Sequence, residues 1–421
     1  MKVMFVVSDY PGHYFPMVPL GWALQAAGHE VRLVCGPAQA PTASRTGLPV
    51  IARGVDVDTV LQARLGYYQE ALAGYGHPGL PPLHPLTGAV MAGLDDFDWP
   101  AYQPEFFARA GVDGRDRTRA IAGLARQWRP DLVLHDLLSP EALVAAHVAG
   151  GKAVCHLWGP TGTDETGYGL DRLRPDVPAP VRERLGIPLD AQLVTHVIDP
   201  CPAPIAPATT AQRLRVRYIP HNGPGTTALP PARGGRPRVC VVWSNSLSQI
   251  FGDASFVVPA VVAAAEQLDV ELVLALSDED ADRLGTVPPS VTVLRRYPLN
   301  LLLPGASAVV HHGGAGCLMT AVAAGVPQLA LPFGAEQEMI ARRLAGSGAG
   351  TVIRGSAADA GPIAAALRDL LGTSGYRDSA ANLAAENAAA PTPLALVAQL
   401  EALVAGAASA VPVLATASAA Q

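Results

Sequence analysis

Residues 2–35 read KVMFVVSDYPGHYFPMVPLGWALQAAGHEVRLVC, and the spacing of their apolar residues decides the fold. KVMFVVS is a continuous apolar run, as in a strand buried on both faces. The loop DYPGHYFP leads into a helix, MVPLGWALQAAG, closed at Gly28. HEVRLVC follows as a second strand and completes a βαβ opening. Further strands are predicted at LPVIAR (48–53), DLVLHD (131–136) and KAVCHLW (152–158), with helical runs between. After residue 237 the alternation restarts: RVCVVWS, a helix near 254–268, VELVLAL, VTVLRRY, SAVVHH, a helix near 317–324 and QLALP. The class is α/β and doubly wound, in two halves.

The chain of 421 residues is long enough for two domains. Residues 220–237 hold five Pro and four Gly, which excludes a helix or a central strand and marks a linker. The expected organisation is a domain over 1–219, the linker, a second domain over 238–390, a C-terminal helix over 391–404 that can pack back on the first domain, and a flexible tail over 405–421. A net charge of −6 argues against a non-specific nucleic-acid binder. The five cysteines (35, 155, 201, 240, 317) form no C-x-x-C pair, which fits a reducing, cytoplasmic setting. The N-terminal apolar run is too short for a signal peptide, and no stretch reads as a membrane span.

Residues 311–316, HHGGAG, admit three readings. A metal pair is excluded by strand geometry, since successive side chains point to opposite faces and no third ligand lies at a useful spacing. A sharp turn from strand to helix is the plain reading of Gly313, Gly314 and Gly316. The third is an anion cradle, because free amides at a helix N-terminus carry about half a positive charge. His312 can add a hydrogen bond to a phosphate. No Walker loop, dinucleotide fingerprint or G-x-S-x-G elbow is present. The Asp-x-Asp pairs at Asp56/Asp58, Asp278/Asp280 and Asp280/Asp282 read as turns and caps, not as a metal site.

Residues 54–110 hold eight of the 23 aromatics without a helical or strand period. They form either ordinary core under an irregular insertion or a lining for a flat apolar ligand. Tyr67, Tyr68, Phe97 and Trp99, with Trp158 further on, are the candidates for that lining.

These pieces together resemble the GT-B glycosyltransferases of family 1, specifically the actinobacterial natural-product enzymes that use nucleotide-activated deoxysugars. GHYFPMVPLGWALQAAGHEVRLVCG resembles their opening, RYIPHNGPG their entry to the linker, and RYPLNLLLPGASAVVHHGGAGCLMTAVAAGVPQLALPFGAEQ their donor-site signature. The resemblance implies two Rossmann-like domains facing a cleft, with acceptor on the N-terminal side and nucleotide sugar, expected to be dTDP-linked, on the C-terminal side. By the same resemblance His312, Gly313, Gly314, Ala315, Gly316, Ser244 and Ser246 hold the diphosphate. Arg296, Tyr297, Pro298, Asn245 and Thr320 lie at base and ribose, and Glu336 and Gln337 contact the sugar. Two departures stand out: Thr320 replaces the ribose-binding Glu of many relatives, and Glu-Gln replaces Asp-Gln.

His13, a lone loop histidine, has no assured role on residue type alone. The resemblance makes it the general base, with Asp136 behind it; Asp131 is a rival partner and Asp9 a second candidate base. The expected reaction is an inverting, metal-independent transfer of a deoxysugar to a hydrophobic aglycone such as a polyketide, with no cofactor beyond the nucleotide-sugar substrate. Partners are then small molecules, with no nucleic acid and no membrane; a homodimer stays open. Competing readings are a nucleotide-sugar epimerase, disfavoured by the aromatics of 54–110, and a catalytically inactive binding protein, disfavoured by intact His13, Asp136 and HHGGAG.

Overall fold

The computed structural model describes residues 1–74, 76, 80–166, 170, 175–223, 234–244 and 246–406. Seven parallel strands form the first sheet: β1 (Lys2–Val6), β2 (Glu30–Cys35), β3 (Val50–Ala52), β4 (Leu132–His135), β5 (Lys152–His156), β6 (His196–Asp199) and β7 (Gln212–Arg215). Their order is β3-β2-β1-β4-β5-β6-β7. Six parallel strands form the second: β8 (Arg238–Val242), β9 (Glu271–Leu276), β10 (Val291–Arg295), β11 (Ala308–His311), β12 (Gln328–Ala330) and β13 (Gly350–Val352), in the order β10-β9-β8-β11-β12-β13. The continuous apolar runs are strands covered on both faces: every residue of β4, β8 and β11 is buried. This is the GT-B architecture of two Rossmann-like domains.

Each sheet reverses its winding once, between β1 and β4 and between β8 and β11. Loops splay apart beyond the carboxyl ends of the strands at such points, and ligands of open α/β sheets bind there. These four loops carry His13, Asp136, Ser244 with Ser246, and His312.

The linker expected at 220–237 falls mostly outside the described residues, as does the tail beyond 406. Helix Pro393–Val404 lies against the first domain, where Leu396, Val397 and Leu400 share a core with Val3, Phe5 and Leu24. The domains also touch directly. Leu157 and Trp158 pack with Ala315, Met319 and Ile340, and Arg343 donates to Glu165 at 2.7 and 2.9 Å.

The segment 54–110 is helical at both ends, with irregular chain between among the described residues. It holds helix Thr59–Leu72 and the start of helix Trp99–Trp128, each capped by an aspartate, Asp58 or Asp98. Pro104, Gly111 and Gly114 within the longer helix obscure its period. Tyr67, Tyr68 and Phe97 are core and Trp99 lies outside the lining of the cleft, so of the two readings the core one holds for these four and their place as a cleft lining is corrected; Phe107 is exposed. Tyr67 meets Phe251 of the second domain edge-on at 4.8 Å and donates its hydroxyl to the Leu80 carbonyl. Tyr68 donates to the carbonyls of Leu94 and Phe97. Phe97 packs with Tyr68, Leu65 and Met91, and Trp99 rests partly buried on that cluster. Rings with satisfied hydroxyls lose less by burial than by facing water. Tyr75 lies outside the described residues.

Candidate active site

A cavity of about 640 Å³ lies between the domains, bounded by the loops at both switch points. On its second-domain side, β11 ends at His311, whose ring is fully buried. His311 Nδ1 accepts the Gly313 N–H at 3.0 Å, so Nε2 carries the proton and faces the Gln328 side-chain oxygen at 2.8 Å. His311 therefore shapes the turn as well as packing. It also uses one amide expected in the cradle, so Gly313 is a hinge, at φ +84°, and not an anion ligand. Gly314 N-caps helix Ala315–Ala324 without a side-chain cap. The first-turn amides of Ala315 and Gly316 thus stay available at the cavity wall. His312 covers this step. A Cβ on Gly314 would sit 2.5 Å from the His312 ring. Burial pushes the His312 pKa down to about 3, with His311 beside it, so the imidazole is neutral. Its Nδ1 has no partner among the described residues.

Ser244 and Ser246 meet hydroxyl to hydroxyl at 2.8 Å after β8, and Tyr10 reaches Ser246 from the first domain at 3.4 Å. Asn245, expected near the base and ribose, lies outside the described residues. Arg296 and Tyr297 line the far end. Arg296 takes φ 50°, which turns the chain after β10, and its N–H donates to the Leu276 carbonyl. Pro298 follows as the N-cap of helix Leu299–Leu302. Thr320 does not face the cavity: it is buried, donates to the Gly316 carbonyl at 2.7 Å and meets Asn222 at 3.3 Å. Its expected ribose contact is corrected on that ground, and Asn222 lines the wall instead. Glu336 and Gln337 open helix Ala335–Gly346 at the cavity edge. Gln337 Oε1 accepts the Phe333 N–H, and its amide N–H₂ meets no acceptor among the described residues and can turn to a ligand.

His13 stands on the opposite wall in a short turn opened by Pro11. Its Nδ1 lies 2.9 Å from Ser8 Oγ, and its ring stacks on Trp158 at 4.0 Å and 18°. Burial lowers its pKa, against the opposing charges of Asp136 and Glu336. The expected direct pairing with Asp136 is replaced by an indirect one. Asp136 is fully buried and accepts from Ser8 N–H at 2.7 Å, Leu138 N–H at 2.9 Å and Ser139 Oγ at 3.0 Å. Ser8 thus bridges carboxylate and imidazole. Asp9 is no rival base: Gly36 N–H, Val57 N–H and Arg117 saturate it. Asp131 accepts Lys2 N–H at the far end of the sheet. Trp158, expected as an acceptor residue, lines the cavity and donates Nε1–H to Glu336 Oε1 at 2.9 Å; Thr161 adds a bond of 2.8 Å.

Sequence reading missed Ser8, Tyr10, Thr161, Trp243 and Asn222. Tyr10 and Trp243 were within two residues of strand ends already predicted, and that position is the one signal that points to them. Among the described residues no three His, Cys, Asp or Glu side chains gather as for a metal, and no helix is long and apolar enough to cross a membrane.

Two parallel sheets whose switch points share one cleft, with a glycine-rich helix terminus facing a stacked histidine, define a GT-B glycosyltransferase. Residues 105–242 and 259–403 match the N-terminal and C-terminal domains described as "Erythromycin biosynthesis protein CIII-like", and the chain belongs to that family. It is 30% identical over 430 residues to the 10-deoxymethynolide desosaminyltransferase of Streptomyces venezuelae, covering 96% of this chain and 97% of the relative. Identity to the L-demethylnoviosyl transferase of Streptomyces niveus is 33% over 408 residues, at 93% and 96% coverage. The spinosyn rhamnosyltransferase SpnG complexed with thymidine diphosphate superposes with a TM-score of 0.71 at 28% identity, covering 95% of this chain and 100% of that one. The protein is a glycosyltransferase of natural-product biosynthesis. With Tyr67, Tyr68, Phe97 and Trp99 outside the cavity lining, these aromatics no longer argue against an epimerase; the relatives do.

Proposed function

We propose that this enzyme transfers a deoxysugar from thymidine diphosphate to a hydrophobic, polyketide-type aglycone, with inversion and without a metal ion. The observation that carries the reading is His13, a neutral imidazole, on the wall opposite the uncapped N-terminus of helix Ala315–Ala324. His13 accepts the acceptor hydroxyl proton as that oxygen attacks the anomeric carbon. One displacement inverts the centre. The leaving diphosphate gathers negative charge, met by the Ala315 and Gly316 amides, the helix dipole, His312 and the Ser244–Ser246 pair. Arg296 and Tyr297 flank the base, and Glu336 and Gln337 face the sugar. Thymidine is supported by similar structures that hold thymidine diphosphate, and the aglycone class by relatives named for 10-deoxymethynolide and tylactone.

A thermal-shift comparison of dTDP, UDP and GDP tests the carrier, with dTDP expected to raise the midpoint most. His13→Ala should lower kcat by about 10² to 10⁴ while leaving dTDP affinity in place; parallel loss of both would sink the base assignment. Full activity after EDTA treatment is the expected result for the metal-independent reaction.

A further inference from the structure

Glu336 begins a helix of the second domain, yet its partners belong to the first. Trp158 Nε1–H and Thr161 Oγ–H, both on the segment after β5, converge on the same oxygen, Oε1, at 2.9 and 2.8 Å. A carboxylate oxygen offers about two lone-pair sites, so Oε1 is filled. Among the described residues no donor reaches Oε2, and no Lys or Arg pairs with Glu336. The two donors are firmly held. Trp158 is 2% exposed and lies flat on His13. Next to it, a Cβ on Gly159 would come within 2.9 Å of the Ala315 side chain, so the segment sits against the second domain with no slack.

We propose that Trp158 and Thr161 set the donor-sugar specificity by occupying Oε1 of Glu336 from across the cleft, leaving Oε2 as the single oxygen that reads the sugar. A carboxylate with both oxygens free takes two neighbouring hydroxyls side by side, one on each oxygen; with Oε1 filled, that two-pronged contact is closed and Oε2 alone is left to the sugar. A fully hydroxylated hexose then brings a second hydroxyl that loses water and finds no carboxylate oxygen beside it, whereas a ring deoxygenated at one of the two carbons loses nothing. The substrate class is a deoxyhexose that presents one hydrogen-bond donor to Glu336. The inference rests on the nucleotide-sugar reading of the cleft.

The test is calorimetric and needs no aglycone: dTDP, dTDP-glucose and dTDP-2,6-dideoxyglucose are titrated into the wild type, Thr161→Val and Trp158→Phe. The wild type is expected to bind the dideoxy donor at least as tightly as dTDP-glucose. Each variant frees one lone pair of Oε1, and the preference should move toward dTDP-glucose by about fivefold to tenfold, the worth of one hydrogen bond. Affinity for dTDP alone should stay within about twofold, since dTDP carries no sugar. An unchanged preference in Thr161→Val, which keeps the side-chain volume, overturns the proposal, and so does a matching loss of dTDP affinity in both variants. Failure of the wild type to bind dTDP at all strikes the donor reading itself, a separate outcome.

Discussion

Ser8 governs which nitrogen of His13 is free to act as base. A neutral imidazole has one N–H and one lone pair. For Nε2 to accept a proton, Nδ1 must hold the other, and Ser8 Oγ at 2.9 Å is the group placed to accept from it. Asp136 acts one step back, by its charge and through the Ser8 backbone. Ser8→Ala should therefore lower kcat by about tenfold with dTDP affinity and melting temperature nearly unchanged. Asp136→Ala strips the acceptor from three donors, two of them buried, and should cost several kcal/mol of stability as well as activity. Equal stability of the two variants would contradict this division of labour. In the pH profile of kcat/KM, activity should fall on the acid side as His13 gains a proton, with a midpoint below 6.5 because burial lowers its pKa. His13 was legible because its place matched a motif. Ser8 was not, since a small residue closing the run KVMFVVS reads as the last position of the strand.

At the scale of the element, HHGGAG is the part that sequence describes best. Strand alternation separates its two histidines, and the structure turns them apart as expected, with His311 buried and His312 at the cavity. What spacing does not reveal is the bond from Gly313 N–H to His311, which removes one amide from the cradle. The glycines also differ in purpose. Gly313 is required by its positive φ; Gly314, at φ −65°, is required by the His312 ring above it. Gly314→Ala should displace that ring and weaken dTDP binding about as much as His312→Ala, roughly tenfold for one lost hydrogen bond. Since both changes remove the same contact, the double variant should bind dTDP no more weakly than the single ones, a non-additivity that titration measures directly. The aromatic segment 54–110 shows the opposite case. Composition flagged it, but whether a ring meets a ligand or a neighbouring helix depends on docking between domains, as at Tyr67 and Phe251. No local pattern encodes that.

For the whole molecule, the alternation of apolar runs with helices marks two doubly wound halves, while the strand order and the two switch points that place the cleft are seen only in the structure. β6, β7 and β13 escape because HVID, QRLR and GTV mix polar with apolar residues and show no continuous apolar run. One global property arises from histidines stationed at the carboxyl ends of strands. His135, His156, His311 and His312 are all buried, and burial lowers each pKa from 6.5, to about 4 for His156 and His311 and about 3 for His312. The unfolded chain binds protons at these sites from pH 6.5 downward while the native state does not, so the histidines' contribution is constant above that point and stability declines as pH falls from 6.5 toward 4. Each histidine contributes a slope of up to about 1.4 kcal/mol per pH unit. Glu141 and Asp280 shift upward and oppose this, but are fewer. Glu338, held low by Arg342 and Arg354, adds its loss only below 4.5. Urea denaturation at several pH values should show the free energy falling steeply between 6.5 and 5. His156→Asn keeps a donor for the Leu157 carbonyl that His156 now engages at 2.8 Å, and should reduce that slope by the share of one proton. A free energy that stays level through this window would mean the strand-end histidines are hydrated in solution.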